Sequence, residues 1–126
     1  LGPTLMELCG VDSYDGIQGV SLAPILKNPS ARVRDHVLIE DDFPDFLASR
    51  TSTPSKTRTL VTEDVRYTRN SDGHEMMYDK IADREERNEL AAADVPRRGQ
   101  MLELLTDALI ASADAARGTP TEPNYS

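Results

Sequence analysis

The chain has 126 residues, of which 38% are hydrophobic and 29% are charged, and it carries a formal net charge of −8 without any tryptophan. This length and composition favour one lean globular domain with an aliphatic core. The acidic excess argues against nucleic acid and against anionic membrane surfaces as partners, because both attract clustered Lys and Arg side chains. No apolar run approaches the ~20 residues that a membrane-spanning helix needs.

The first part of the chain predicts two short helices. Pro3 opens the first helix, which is rich in leucine and stops at Gly10. Ser21 is placed to cap the second helix, over residues 22–27. The lone Cys9 forms neither a disulfide framework nor a thiolate metal cluster. No basic residue lies near it in the sequence to activate it, so we expect a buried structural thiol.

The middle of the chain predicts an antiparallel meander with tight turns at Glu63-Asp64 and Asp72-Gly73. The residue after the second turn, His74, is expected to be exposed. A long polar connection is expected over residues 41–56. Four segments have the apolar and β-branched content of strands: His36–Glu40, Arg58–Thr62, Arg66–Arg69 and Glu75–Tyr78.

The C-terminal third predicts helical structure. Asn88 is placed as an N-cap with Glu89 in the first turn. Apolar residues recur at helical spacing over residues 99–116, between Pro96 and Gly118. The predicted fold class is therefore α+β, a small antiparallel β-sheet of about four strands with a C-terminal amphipathic helix packed on one face. Residues 119–126 are predicted to form a flexible tail.

Three parts of the chain resemble, in the same order, segments of the sulfatase family. Pro3–Val11 followed by Gln18–Leu26 is similar to the family run Pro-Thr-Leu-Leu-Glu-Leu-Ala-Gly, a spacer, then Gly-x-Ser-Leu-x-Pro-Leu-Leu. Thr57–Leu60 followed by Arg66–Thr68 is similar to the family's Arg-Thr segment and the strand after it. Met77–Ala91 is similar to the C-terminal signature Glu-Leu-Tyr-Asp-Leu, a short acidic spacer, then Glu-x-x-Asn-Leu.

The resemblance implies a C-terminal subdomain of a sulfatase, in the alkaline-phosphatase-like superfamily, separated from its active site. Leu1 in place of Met fits such a fragment. Residues 1–33 would then be junction helices at the end of the catalytic region, and 34–118 the subdomain itself. The missing catalytic domain is the expected partner. The parent is expected to be a calcium-dependent sulfuric ester hydrolase with a formylglycine nucleophile, whereas this chain needs no cofactor and is expected to be inactive alone.

Two segments imitate catalytic motifs of that family without meeting them. The acidic run Glu40 to Asp42 looks like the strand end that binds the divalent cation, and Ser52 to Lys56 looks like Cys/Ser-x-Pro-x-Arg. Lys56 replaces the Arg, and Lys lacks the planar fork of donors. Only about ten residues separate the two segments, where the family has several times more. We therefore assign no catalytic residue and no metal ligand.

Four charged residues remain candidates for the rim of a substrate pocket: Arg58, Glu40, Asp41 and Asp42. Solvated loop acids, and a structural ion pair between Arg58 and Glu40 or Asp41, are the alternative roles. The arginines of the C-terminal third alternate with acids and predict a solvated face: Arg84, Arg87, Arg97 and Arg98.

Two other functions stay open at this point. One is a free-standing module that binds a protein partner, or itself, through its sheet or its long helix. The other is a fragment of a phosphoester or phosphonate hydrolase of the same superfamily, because these C-terminal segments do not identify the ester.

Overall fold

A computed structural model describes residues 1–14, 16–42 and 56–116, which divide into two compact units. The first unit combines Leu1–Arg34 with Leu109–Ser126, and the second is Asp35–Ala108. The helices are α1 (Gly2–Leu8), α2 (Ala23–Lys27) and α3 (Val95–Ala116). The strands are β1 (Val37–Asp42), β2 (Lys56–Val61), β3 (Val65–Asn70) and β4 (Glu75–Asp79).

The two short helices of the first unit are confirmed. Gly10 follows α1 with a φ of +68°, a left-handed conformation that glycine adopts without strain. The Ser21 hydroxyl accepts the Ala23 N–H at 3.1 Å. The N-cap residue of α2 is Leu22, however, so Ser21 lies one position before the cap and its predicted capping role is corrected. The Thr4 hydroxyl accepts the Leu22 N–H at 3.0 Å and so connects α1 to the start of α2.

The second unit is built on a four-stranded antiparallel sheet in the order β1-β2-β3-β4, as the sequence predicts. At the β2–β3 turn, the Thr62 hydroxyl donates to Asp64 at 2.8 Å and accepts the Val65 N–H at 3.0 Å. At the β3–β4 turn, Gly73 has a φ of +88°, and its N–H donates to the Asn70 carbonyl at 3.0 Å. These turns fix the strand register, and His74 after the second turn is exposed.

The core of the second unit lies on one face of this sheet. Leu60, Tyr67 and Met77 are opposite one another on β2, β3 and β4, and all three are fully buried. The helix α3 contributes the buried Met101 and Leu105. Fully burying one such side chain is worth about 1.5–3 kcal/mol, so this row stabilises the sheet strongly.

Ion pairs show which face of the sheet α3 covers. Arg98 in the first part of α3 binds Glu75, which points to the same face as Met77 because side chains alternate along a strand. The predicted packing of the helix on one face is therefore confirmed.

No helix in the described part of the chain has both the length and the hydropathy needed to cross a bilayer.

The segment before α3 corrects one prediction, because no helix begins at Asn88. The Glu89 carboxylate instead accepts the N–H groups of Met77 and Ala91, at 2.9 and 2.5 Å. The Leu90 N–H donates to the Met77 carbonyl at 2.8 Å. Residues 89–90 thus satisfy the free edge of β4, and hydrogen bonding to that edge outweighs the local helix signal.

Three further predictions are corrected. The helix α3 begins at Val95 rather than Gly99, because Asp94 accepts the Arg97 N–H at 3.1 Å and Pro96 fits the first turn. Strand β1 extends to Asp42 and β2 begins at Lys56. Cys9 is exposed rather than buried, since it follows a short helix whose leucines are themselves exposed. The Ser52–Ser55 part of the motif-like segment and residues 119–126 lie outside the described residues.

Candidate functional site

A row of charged side chains crosses the whole sheet on the face that carries the core. Glu40, Arg58, Arg69 and Glu75 are successive register partners on β1, β2, β3 and β4. We call these four residues, together with Asp42, Lys56 and Arg98, the charge row. Two arginines are therefore direct neighbours at its centre, an arrangement that destabilises a sheet unless carboxylates flank it.

Arg58 is held between two acids of the edge strand. Its Nε lies 3.0 Å from Glu40 Oε1, and its Nη1 lies 2.6 Å from Asp42 Oδ1. The hydrogen bond with Asp42 raises the pKa of Arg58 and lowers the pKa of that carboxyl. An ion pair with Glu40 agrees with the alternative role, although the second acid is Asp42 and not Asp41. The rim role of Arg58 stays a prediction.

Asp41 lies on the opposite face of β1. Side chains alternate along a strand, so Glu40 and Asp42 face Arg58 while Asp41 points away. The three acids therefore do not converge on one point. Within residues 1–14, 16–42 and 56–116, no group of three His, Cys, Asp or Glu side chains is placed to hold a metal ion. A calcium ion does not fit these acids.

At the other end of the charge row, one carboxylate holds two arginines. Glu75 Oε1 accepts from Arg69 Nη1, and Oε2 accepts from Arg98 Nε. The Glu75 side chain is only 10% exposed, whereas those of Arg69 and Arg98 are 41% and 38% exposed. The Arg98 hydrogen bond lowers the pKa of Glu75 and raises that of Arg98.

Arg97 makes a second link between α3 and the sheet. Its Nη1 and Nη2 each lie 2.9 Å from a carboxylate, the former from Asp79 and the latter from Asp64. Asp64 belongs to the β2–β3 turn and Asp79 ends β4. The prediction of a solvated face is therefore wrong for Arg97 and Arg98, because both bind carboxylates of the sheet. Arg84 and Arg87 are exposed, as expected.

Arg69 and Glu75 were not predicted from the sequence, although a usable signal was present for Arg69. Residues at equal distances from a tight turn become partners in a hairpin. Counting outward from Glu63-Asp64 pairs Arg58 with Arg69. Counting outward from Asp72-Gly73 would pair Arg69 with Met76, whereas the register is centred on Asp72 and pairs Arg69 with Glu75. No comparable count reaches Arg98, because its partner depends on how α3 crosses the sheet.

Comparisons with known proteins identify sulfatases among the proteins that this chain resembles. No protein-family model matches the chain. An ulvan-active sulfatase from Formosa agariphila is 30% identical over 88 residues, which cover 70% of this chain and 17% of that protein. The chain spans less than a fifth of that relative.

Solved structures give the same answer for the fold. A 2-O GAG sulfatase superposes with a TM-score of 0.71 at 26% identity, over 91% of this chain and 25% of the other. A protein solved in complex with its substrate, D-glucosamine-2-N,6-O-disulfate, has a TM-score of 0.72 at 24% identity. That match covers 89% of this chain and 23% of the other. The resemblance seen in the sequence is confirmed: over most of its length this chain is a homologue of sulfatases, and it corresponds to a quarter or less of the proteins it matches.

Proposed function

We propose that this chain is an accessory module of a sulfatase-like enzyme. In this role it supports a catalytic domain and contributes to the rim of the substrate pocket, without catalytic residues of its own. The short matched share of each relative supports this, since most of a sulfatase has no counterpart here. The observation that carries the proposal is the exposure of apolar side chains in the first unit.

Nine of the fourteen exposed large hydrophobic residues, counted over the described residues, belong to the first unit. Exposed apolar residues that cluster in one part of a protein, rather than scatter singly, mark surfaces that a partner covers. A catalytic domain is the partner that the sulfatase relatives suggest, and residues 1–33 would form the junction with it. The nine are Leu1, Leu5, Leu8, Val11, Tyr14, Val20, Leu22, Leu26 and Ile110.

An open groove in the first unit gives such a domain a place to pack. Its volume is about 470 Å³, and its apolar lining comes from Pro3, Met6, Val11 and Val20. Two carboxylates, those of Glu7 and Asp12, also line it. Helix ends and loops of a neighbouring domain fill grooves of this kind through apolar contact with a few polar anchors.

The rim role is assigned to Arg58 with Glu40, Asp41 and Asp42. Arg58 is the cation of this set, and the relatives are named for the sulfated glycans ulvan and GAG. A sulfated glycan is therefore the proposed substrate class of the parent. Calcium and formylglycine are assigned to the rest of the parent because of the likeness to sulfatases.

The proposal is tested by measuring sulfate release from an aryl sulfate in the presence of calcium. We expect no release by this chain alone, because nucleophile, metal and acid must be positioned together. We expect release by a longer polypeptide that contains this chain and a Cys/Ser-x-Pro-x-Arg segment. Turnover by this chain alone that Ser52→Ala abolishes would overturn the proposal.

The same exposed residues also favour a second function, self-association of a free-standing module. Sedimentation of this chain separates the two. A specific dimer that Leu5→Glu dissociates, and that persists in a longer sulfatase-like polypeptide, would favour the module. A phosphoester hydrolase as the parent is distinguished by replacing the aryl sulfate with an aryl phosphate.

A further inference from the structure

We propose that the charge row contains a binding site for an oxyanion, the sulfate ester or carboxylate of a glycan, formed by Arg69 and Arg98. The choice of a glycan rests on the proposed function above, whereas the choice of an oxyanion rests only on the side chains of the row. Neither arginine has been given a role beyond its ion pair.

The first support is the local charge. Three carboxylates of the row face four cationic side chains, which leaves one positive charge in excess on a chain whose net charge is −8. The excess lies at one end. Arg58 faces two acids, Glu40 and Asp42, but Arg69 and Arg98 share the single carboxylate of Glu75.

Among the described arginines of the second unit that form ion pairs, the sharing of one acid distinguishes Arg69 and Arg98 from the others. Arg97 has two carboxylate partners, and Arg66 and Arg87 each have one to themselves. An additional anion at the Arg69–Arg98 pair would balance the charge there. It would also offset the repulsion between Arg69 and its neighbour Arg58.

The second support is the geometry of the donors. A guanidinium carries five N–H donors, and Glu75 accepts from one nitrogen of each arginine. The arginine side chains are 41% and 38% exposed, so donors remain at the surface. Glu75 is mostly buried and fixes both guanidinium groups before any ligand arrives. Pre-positioned guanidinium groups bind sulfate and carboxylate groups through paired, charge-assisted hydrogen bonds.

The experiment titrates the full chain with three ligands and follows backbone and arginine side-chain resonances by NMR. The ligands are inorganic sulfate, a sulfated disaccharide and a non-sulfated uronate disaccharide. We expect saturable shifts at Arg69, Glu75 and Arg98 with at least one disaccharide. The sulfated and uronate ligands separate the two sources of an oxyanion, and shifts with either one support the site.

Matched variants decide whether these arginines carry the binding. Arg69→Gln should weaken it about tenfold, the loss of one charge-assisted contact. Arg69→Lys keeps the charge but loses the fork, so we expect intermediate weakening. Arg87→Gln makes the same charge change at an exposed pair and should leave binding unchanged. Circular dichroism confirms that each variant is folded.

Two results would overturn the site. One is the absence of saturable shifts at these residues with all three ligands. The other is equal weakening of binding by Arg69→Gln and Arg87→Gln, which would mean that binding depends on the net charge of the chain and not on Arg69. Both readouts use this chain alone, so a failure here is independent of whether a longer polypeptide hydrolyses sulfate esters.

Discussion

The two units of the chain treat apolar side chains in opposite ways. In the second unit, Leu60, Tyr67 and Met77 are completely buried. In the first unit, residues such as Leu8 and Leu26 are 57% and 68% exposed. Among the described residues, the fully buried large apolar side chains therefore lie in the second unit. The proposed partner surface rests on this difference, because exposed apolar side chains that cluster in one part of a protein mark interaction surfaces.

The largest expected effect compares a leucine from each unit. Leu60→Ala should lower the free energy of unfolding by about 2–5 kcal/mol, because it removes a fully buried side chain and leaves a cavity. Leu26→Ala should change it by no more than about 0.5 kcal/mol, since the side chain is mostly exposed. Urea unfolding followed by circular dichroism measures both. Equal losses in the two variants would contradict the comparison.

A smaller effect is expected where α3 is attached to the second unit. Arg97→Gln removes ion pairs to both Asp64 and Asp79, from a side chain only 27% exposed, and should cost about 1.5–3 kcal/mol. Arg87→Gln is the control, because its pair with Glu85 is 76% and 68% exposed and should contribute little. The same urea titration compares them. Indistinguishable midpoints would mean that the Arg97 ion pairs do not stabilise the unit.

The Glu89 contact at the edge of β4 should contribute less to the free energy of unfolding than the Arg97 ion pairs do. Glu89→Ala leaves the N–H groups of Met77 and Ala91 without their carboxylate acceptor, and we expect a loss of about 1 kcal/mol. Hydrogen exchange at the Met77 amide should also accelerate. Glu85→Ala removes an equal charge from the same segment and should change neither quantity. Unchanged exchange at Met77 in Glu89→Ala would contradict this role.

Acid should weaken the second unit through the same contacts. Hydrogen bonds from Thr62 and Arg97 lower the pKa of Asp64, and the hydrogen bond from Arg98 lowers that of Glu75. The ordinary values are 3.8 and 4.5, so the unfolded chain binds more protons in this range. The stabilisation is complete above about pH 5 and is lost as the pH falls through the lower folded values. Thermal unfolding between pH 6 and about pH 2.5 should show this decline.

A variant separates these carboxylates from the rest of the chain. In Arg97→Gln the decline of the melting temperature with acid should be shallower, because Asp64 and Asp79 lose part of the interaction that lowers their pKa values. An equal decline of the melting temperature in the variant and the wild type would show that Arg97 does not cause the sensitivity to acid.

Local patterns were enough to predict most of the fold. The β-branched segments and the Asp72-Gly73 turn placed the meander, because a hairpin depends on residues close together in sequence. The helical spacing of residues 99–116 placed α3 for a similar reason. The helix predicted to begin at Asn88 was wrong. The hydrogen bonds of Glu89 and Leu90 to Met77 are tertiary contacts, and a capping pattern contains no information about them.

The candidate site was less accessible from the sequence than the fold. Arg58 was identified, and one of its acids was correct, because β1 and β2 were recognised as strands. Asp42 was missed as a partner since the predicted strand ended at Glu40. Arg98 was assigned to a solvated face, because its position on Glu75 depends on the packing of α3. Exposure of the first unit has no local signature either, since leucines at helical spacing normally indicate a buried face.

Hydroxyl-radical footprinting tests the central claim most directly, by comparing this chain alone with a longer sulfatase-like polypeptide that contains it. We predict strong labelling of Leu5, Leu8 and Leu26 in the isolated chain and clear protection of the same residues in the longer polypeptide. Leu60 should be protected in both. Equal labelling of the three exposed leucines in the two samples would contradict the account, because the first unit would then have no partner domain to cover it.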